Sequence, residues 1–436
     1  MSLSKIVLGA AEVVRPVLTK LLPAPVLSHI KAGIVQRTTN RLDQVHIEPF
    51  HREVYSDGIN LIGSINSDTG LGQSTRLVAD IIEAGNIDYT VYNYFVPPGG
   101  SMNDTTYQHK ITNTLPYNIN LIHVNASEFT RAFMDIGKDA WDKRYNIAYW
   151  LWELEEFPQE WLGNMNLVDE IWTPAEFISN TLRKYTDKPV NTVPYAGTAP
   201  TDDSLNRKHF HLPEEDFLYL MMFDGGSRAE RKNPDAVIEA FKRAYADHKE
   251  EQNVQKRKTG LVVKINEPES SEEDIAYIRQ ALAGYENIHF ICETLTKVEV
   301  NSLIKCVDVY VSLHRAEGFG LVLAESMIVG TPVIATNWSA NTEFMNTDVA
   351  CMVDARMVEI EKEIPPFKKG YHWADADIGQ AAAYMRRLYE DQQYYDRIKK
   401  SAKQYIAERL SMERSSELMK KRISAIYETA DSIEGI

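Results

Sequence analysis

Short apolar runs of strand length alternate with helical stretches from residue 58 to residue 194, and the alternation begins again at Phe217. A strand, a crossover helix and a second strand build a parallel sheet covered by helices. The first run is Gly58–Ile65 (GINLIGSI). A polar, glycine-rich stretch follows, Ser67–Gln73 (SDTGLGQ), and then a helical one, Ser74–Ala84, with Leu77, Ile81 and Ile82 on one face. Further strands are predicted at Tyr89–Tyr94, Ile119–Val124, Ile147–Trp150, Glu170–Thr173 and Asn191–Pro194. The second series has strands at Phe217–Phe223, Leu261–Asn266, Ile288–Ile291, Val307–Leu313 and Pro332–Ala335. Helices separate them at Pro234–Tyr245, Ser271–Ala283, Lys297–Lys305 and Leu321–Val329, and further helices fill the end from Asp377 to about Glu428. The polar stretch Gly197–His211 reads as a hinge. The expected fold is α/β: two doubly wound, Rossmann-like domains facing one another across a cleft. Ligands in such sheets bind at the carboxyl ends of the strands. The expected divisions are an arm over 1–55, an N-terminal domain over 56–200, a C-terminal domain over 201–405, and a C-terminal helix over 406–436 packing back towards the N-terminal domain.

Charge separates the arm from the rest. The whole chain carries 47 Lys and Arg against 62 Asp and Glu, a formal −15. Such a balance argues against a duplex-nucleic-acid partner, whose affinity rests on cations at phosphates. Residues 1–42 run the other way, with Lys5, Arg15, Lys20, Lys31, Arg37 and Arg41 against Glu12 alone. Ile6, Ala10, Val13, Val14, Val17 and Leu21 repeat there at helical spacing. Two readings stand: a helical arm packed on its own protein, or an amphipathic arm resting on an anionic membrane surface. The apolar start is broken by Glu12 and Arg15 and lacks a cleavage site, so it does not read as an export signal. No apolar run is long enough to cross a membrane. The three cysteines, Cys292, Cys306 and Cys351, sit in apolar runs without a C-x-x-C, which fits core residues in a reducing cytosol.

The segment most dense in chemistry is His314–Gly330, HRAEGFGLVLAESMIVG, directly after a predicted strand. Glu317 falls on the loop, and Gly318, Phe319 and Gly320 let the backbone pass close to a ligand. A helix opens near Gly320 with free N–H groups at its start, and Glu325 lies about one and a half turns along it. Two carboxylates at different depths beside an anion-friendly helix end suit a sugar attached to a phosphate.

A second segment, Asp224–Pro234 (DGGSRAERKNP), also follows a strand. It holds Ser227, Arg228, Arg231 and Lys232, and cations at a strand end can clamp a diphosphate leaving group. Asn266 and Thr294 close neighbouring strands and are expected to shape the donor pocket. At the first strand–helix turn, Gly70, Leu71, Gly72 and Gln73 read as a glycine loop or as a plain tight turn. His123, at a strand end, reads as a sugar contact or proton acceptor, or as a satisfied core histidine. Asn125 is its polar neighbour. Trp150, Trp152, Glu153 and Glu156 form an aromatic and acidic cluster, with Trp152 and Glu153 as candidate acceptor contacts or, alternatively, core aromatics and helix-start acids. Asp375-Ala-Asp377 mimics a D-x-D metal motif but follows no predicted strand, so it reads as helix capping. No His or Cys spacing suggests zinc and no phosphate-loop motif occurs. No metal or cofactor is expected.

Glu317 and Glu325, eight apart around Gly-Phe-Gly, resemble the E-x7-E signature of the family 4 retaining glycosyltransferases, which have the GT-B fold. The similarity continues through GTPVIAT, residues 330–336, covers most of 58–428, and is strongest at 305–345. The resemblance implies a nucleotide-sugar donor held by the C-terminal domain and a hydroxyl acceptor held by the N-terminal domain, a glycan or lipid-linked glycan in surface polysaccharide assembly. It implies Glu317 beside the transferred sugar, the backbone of Gly318–Gly320 next to it, and Glu325 on the nucleotide ribose. The family's Arg–Lys pair maps to Lys232 and, six positions earlier, to Gly226. The second cation is therefore Arg228 or Arg231. The family also places a histidine near the donor sugar, which maps to His123. Location follows the arm: cytoplasmic, at the inner face of the cell membrane if the arm binds lipid. The rival readings are a nucleotide-sugar epimerase and a non-catalytic GT-B partner subunit.

Overall fold

The computed structural model describes residues 33, 35, 37–39, 41–95, 101–224, 229–245, 257–266 and 272–434. Most of the basic arm, and with it the expected arm helix, lies outside these residues. The chain divides into two compact units. One takes residues up to Leu151, then Phe157–Ala196 and Met412–Ile436; the other takes Trp152–Glu156 and Gly197–Ser411. The divisions therefore fall at 196/197 and 411/412 rather than at 200/201 and 405/406. The expected boundary at 406 would cut through a continuous helix, Gln392–Arg409.

The first unit is a six-stranded parallel sheet: β1 (Ser56–Gly63), β2 (Tyr89–Asn93), β3 (Tyr117–His123), β4 (Tyr145–Tyr149), β5 (Glu170–Thr173) and β6 (Val190–Thr192). Their order is β2-β1-β3-β4-β5-β6. Helices α1 (Gly70–Ala84), α2 (Ala126–Ile136) and α3 (Glu176–Arg183) provide crossovers. Strands covered on both faces are apolar almost throughout, as Ile59, Leu61, Ile119, Leu121 and Ile147 show, all fully buried. One registered row of amides is an exception. Asn60, Asn120 and Asn146 face each other across β1, β3 and β4. Asn60 Nδ2 donates to Asn120 Oδ1 at 2.9 Å, and Asn120 Nδ2 donates to Asn146 Oδ1 at 2.8 Å. Asn146 Nδ2 ends the chain on the carbonyls of Trp141 and Arg144. Buried amides persist because each finds a partner.

The inner end of the arm is seated on this unit. Thr39 is buried, its hydroxyl is 2.6 Å from Thr130 Oγ1, and Leu42 is fully covered. The last helix, α11 (Met412–Glu434 in the chain), packs against α1 of the same unit. Glu170 on β5 anchors it. This carboxylate is wholly buried and accepts from Arg422 Nε at 2.7 Å, from Trp172 Nε1 at 2.6 Å and from the Tyr145 hydroxyl at 3.0 Å. Tyr427 adds a bond from its hydroxyl to Asn118 Oδ1 at 2.9 Å.

The second unit repeats the plan with β7 (Phe217–Asp224), β8 (Thr259–Asn266), β9 (Ile288–Cys292), β10 (Val309–Ser312), β11 (Val333–Thr336) and β12 (Cys351–Val353). The order is β12-β11-β10-β7-β8-β9. Between α1–α3 and α11 come α4 (Ala229–Lys232), α5 (Pro234–Tyr245), α6 (Glu272–Ala281), α7 (Lys297–Cys306), α8 (Leu321–Val329), α9 (Ile378–Glu390) and α10 (Gln392–Arg409). The core gathers Tyr219, Phe241, Val263, Val311 and Ile398. The Tyr219 hydroxyl satisfies itself on Met385 O at 2.7 Å and Tyr245 Oη at 2.6 Å.

A two-stranded antiparallel hairpin, β13 (Ala355–Glu359) with β14 (His372–Ala376), was not expected. It corrects the environment of Asp375. That residue lies on β14, paired with Arg356 at 3.1 Å and Arg315 at 3.7 Å, and only Asp377 caps a helix, accepting from Gln380 N at 2.9 Å. No helix among the described residues is long and apolar enough to cross a membrane, and no metal-binding group of three His, Cys, Asp or Glu occurs among them.

In each sheet the chain order reverses once, between β1 and β3 and between β7 and β10. Ligands of open α/β sheets sit outside the carboxyl ends of the strands at such a reversal.

Candidate functional site

In the second unit, β7 and β10 lead into the two cation- and carboxylate-bearing segments. Past β10 the chain runs Leu313, His314, Arg315, Ala316, Glu317. It is stitched to the turn of α4 and the residue after it. Arg315 N donates to Arg231 O at 2.8 Å, Arg315 Nη1 to Glu230 O at 2.8 Å, and Asn233 Nδ2 to Leu313 O at 3.0 Å. Asn233 takes φ +54°, a left-handed conformation that Asn tolerates.

This stitching brings Glu317 between two cations. Lys232 Nζ lies 2.5 Å from Glu317 Oε1, and Arg231 Nη1 lies 3.3 Å from Oε2 while also donating to Ala316 O at 2.9 Å. Glu317 is buried and its backbone N–H donates to Ser339 Oγ at 3.1 Å. Burial alone would raise its pKa, but Lys232 and Arg231 prevail and hold it down at about 2. Arg231, not named uniquely from sequence, is the arginine found beside Lys232. Arg228 and Ser227 lie outside the described residues.

After Glu317 the backbone turns through Gly318, Phe319 and Gly320. Gly320 has φ +91° and caps α8, and a Cβ there would stand 2.9 Å from Leu323 Cδ1. Phe319 is buried against Phe344, with ring centroids 5.1 Å apart, so it shapes the loop. Leu321 opens α8. On the next turn Glu325 is buried, with Oε1 ion-paired to Lys297 Nζ at the start of α7. Its Oε2 is buried without a hydrogen-bond partner. Burial pushes this carboxyl up, and Lys297 opposes the shift.

Thr296 and Glu299 form a capping box that fixes the helix start carrying Lys297. Lys297 gave no sequence signal, because 28 residues separate it from Glu325 and only the fold joins them.

Asn266 ends β8 and accepts from the buried Lys264 Nζ, which also donates to Glu293 O at 2.9 Å. Thr294, beyond β9, is exposed. Lys264 was missed because it sits inside an apolar strand run.

Two acceptor candidates are placed differently from the sequence reading. Trp152 and Glu153 go with the second unit. Trp152 is buried, tilted against Phe367 at 5.8 Å, and its Nε1 donates to Glu156 O at 2.6 Å, so its ring offers no open stacking face. Glu153 lies within electrostatic reach of Arg231, Glu317 and Lys232. Burial pushes its carboxyl up, and Arg231 partly offsets that.

In the first unit, Gly70–Gln73 form the first turn of α1 rather than a loop before it. Thr69 caps the helix, accepting from Gly72 N at 3.4 Å. A Cβ on Gly72 would meet Ser67 O at 2.0 Å, whereas Gly70 faces nothing within 4 Å. Gln73 Oε1 accepts from Arg76 Nη2 at 3.2 Å. His123 is fully buried with both ring nitrogens engaged. Nε2 is 2.8 Å from Ser74 Oγ, and Nδ1 is 3.3 Å from Thr75 Oγ1. The ring stacks on Tyr149 at 4.9 Å, and burial lowers its pKa to about 4. These are the features of a satisfied core histidine, not of one facing an open surface. Asn125 precedes α2, and its buried Oδ1 has no hydrogen-bond partner.

Residues 203–405 match the family model of the glycosyl transferases group 1. No curated protein matches the chain in sequence. Among solved structures, Anabaena HepE in complex with UDP and glucose superposes with a TM-score of 0.62 at 13% identity, covering 84% of this chain and 100% of that one. Sucrose-phosphate synthase from Thermosynechococcus elongatus gives 0.61 at 14% identity over 86% of this chain and 100% of that one. A glycosyltransferase from Rickettsia africae gives 0.58 at 12% identity over 86% and 99%. At these identities the likeness is one of fold.

Proposed function

Because the chain belongs, through residues 203–405, to the glycosyl transferases group 1 and has the GT-B fold, we propose that it is a retaining, metal-independent enzyme that moves a sugar from a nucleotide-sugar to a hydroxyl acceptor. One observation carries this reading. Of two buried carboxylates eight residues apart, Glu317 has both oxygens ion-paired, to Lys232 and Arg231, while Glu325 keeps one oxygen without a partner. A lone buried acceptor suits a ribose hydroxyl, which donates. Two cations at a strand end suit a diphosphate.

In the proposed reaction the bond from the anomeric carbon to the diphosphate oxygen breaks, and the acceptor oxygen attacks that carbon from the same face. The acceptor proton passes to the departing diphosphate, so no protein nucleophile is needed. Lys232 and Arg231 stabilise the leaving charge, the largest catalytic contribution such a site commonly makes. Glu317 orients the transferred sugar through its hydroxyls, and Glu325 with Lys297 holds the ribose. UDP is the first nucleotide to try, since it is the one bound in the HepE structure. The proposed acceptor is a glycan or lipid-linked glycan, and residues 1–42, net +5, are proposed to rest on an anionic membrane surface. Flotation with anionic liposomes of the full chain against a chain lacking residues 1–32 tests that last point, and equal behaviour would sink it.

The main test is nucleoside diphosphate release from a panel of nucleotide-sugars, with and without lipid and glycan acceptors. Release from one or more donors supports the reading. Silence across the panel favours a non-catalytic partner subunit.

A further inference from the structure

His314 lies two residues past β10 and three before Glu317, and it is wholly buried. Neither ring nitrogen has a hydrogen-bond partner. Its backbone is pinned, since its carbonyl accepts from Thr336 Oγ1 at 2.7 Å. The ring is thus enclosed by packing, with two unsatisfied polar atoms. Buried polar side chains in native proteins almost always find a partner, and an exception calls for a reason. Glu317, Lys232 and Arg231 all act on its charge, so it stands beside the cluster described above. Burial keeps the ring neutral, lowering its pKa to about 4.

A neutral imidazole offers one donor nitrogen and one acceptor nitrogen. A phosphate oxygen accepts only, so it can meet the donor nitrogen alone. Arg231 and Lys232 also serve an anion better than a neutral ring does. A hydroxyl both donates and accepts, so it can meet whichever ring nitrogen faces it, in either tautomer. Resting on the nucleotide-sugar reading above, we infer that His314 is a binding residue for the transferred sugar, hydrogen-bonding one of its hydroxyls through a ring nitrogen alongside Glu317.

The experiment compares two ligands on three proteins. The donor is first identified with the wild-type chain from the release panel. Calorimetry then measures binding of that nucleotide-sugar and of its nucleoside diphosphate to wild type, His314→Leu and His314→Asn. The expected result for His314→Leu is a loss of about tenfold or more for the nucleotide-sugar and less than about twofold for the nucleoside diphosphate. His314→Asn, which retains a donor and an acceptor, recovers part of the loss. The thermal midpoint of ligand-free His314→Leu stays at or above that of wild type, because the substitution removes an unpaired buried polar group.

Equal losses for both ligands would mean that the ring serves the diphosphate or the fold, and no loss for either would mean that water satisfies it. Each overturns the inference. A structure of the wild type with the donor bound decides the matter even if both variants fail to fold. A ring nitrogen within about 3.2 Å of a sugar hydroxyl supports the inference, and a protein, water or phosphate partner in its place ends it. A wild type that turns over no donor sinks the glycosyltransferase reading itself, which is a different outcome from a wild type that turns over donor while His314→Leu binds it normally.

Discussion

Lys232 Nζ stands 2.5 Å from Glu317 Oε1, across 85 residues of sequence, and this contact joins the two segments that carry the candidate donor chemistry. It exists because β7 and β10 are neighbours at the reversal of strand order in their sheet. The carboxylate is thereby held far below its ordinary range although it is buried.

Glu317→Gln leaves Lys232 and Arg231 facing a neutral amide. We expect a stability loss on the order of 3 kcal/mol at pH 7, read from urea unfolding. The linkage sign follows from the depressed pKa. The pair's contribution is complete above the ordinary carboxylate value of 4.5 and is lost as pH falls towards about 2. The difference between wild type and Glu317→Gln should therefore narrow across that interval. A difference independent of pH would contradict the ion pair.

His123 has its pKa lowered to about 4 by burial. Its folded value lies below the ordinary 6.5, so the unfolded chain takes up more protons between those values, and stability falls as pH drops from about 6.5 to 4. The histidine NMR signal absent from His123→Gln should show no titration above about pH 5. A midpoint near 6.5 would place the ring in contact with solvent.

Glu170→Ala removes the buried partner of Arg422, Trp172 and Tyr145 in the first unit. The expected cost is about 3–5 kcal/mol. Arg422→Ala should cost a similar amount, since it leaves the carboxylate buried without its counter-charge. Loss of protection from hydrogen exchange in α11 would localise the damage, and an unchanged unfolding midpoint for both variants would contradict the anchor.

Gly70 and Gly72 differ in packing although they share the first turn of α1. Gly72→Ala sets a Cβ against Ser67 O and should destabilise by about 1–3 kcal/mol. Gly70→Ala meets nothing and, within a helix, should leave stability unchanged or raise it by up to about 1 kcal/mol. Thermal unfolding reads both, and equal midpoints for the two variants would contradict the packing difference.

Much of this was legible because parallel strands buried on both faces are continuous apolar runs, and those runs mark all but one of the twelve sheet strands. The missed β12 has three residues, and the β13–β14 hairpin is mostly exposed on β13, so neither leaves a period to detect. Glu317, Glu325 and Lys232 were readable as local motifs. Lys297, Lys264 and the unpaired state of His314 were not, because each is defined by what the fold brings near it. Trp152 and Glu153 were assigned to the wrong unit since the segment follows β4 directly in the chain yet goes with the other body. Nothing in a linear pattern marks that crossing.

The proposed nucleotide-sugar transferase holds its donor through Glu325 and its leaving diphosphate through Lys232. The most direct measurement is nucleoside diphosphate release by wild type, Glu325→Ala and Lys232→Ala on the best donor of the panel with its acceptor. We expect release by wild type and a loss of about a hundredfold or more in kcat/KM for Lys232→Ala, as for removal of a group that stabilises developing charge. The loss in Glu325→Ala is expected largely as weaker donor binding. Wild-type release that both variants retain in full would contradict both roles.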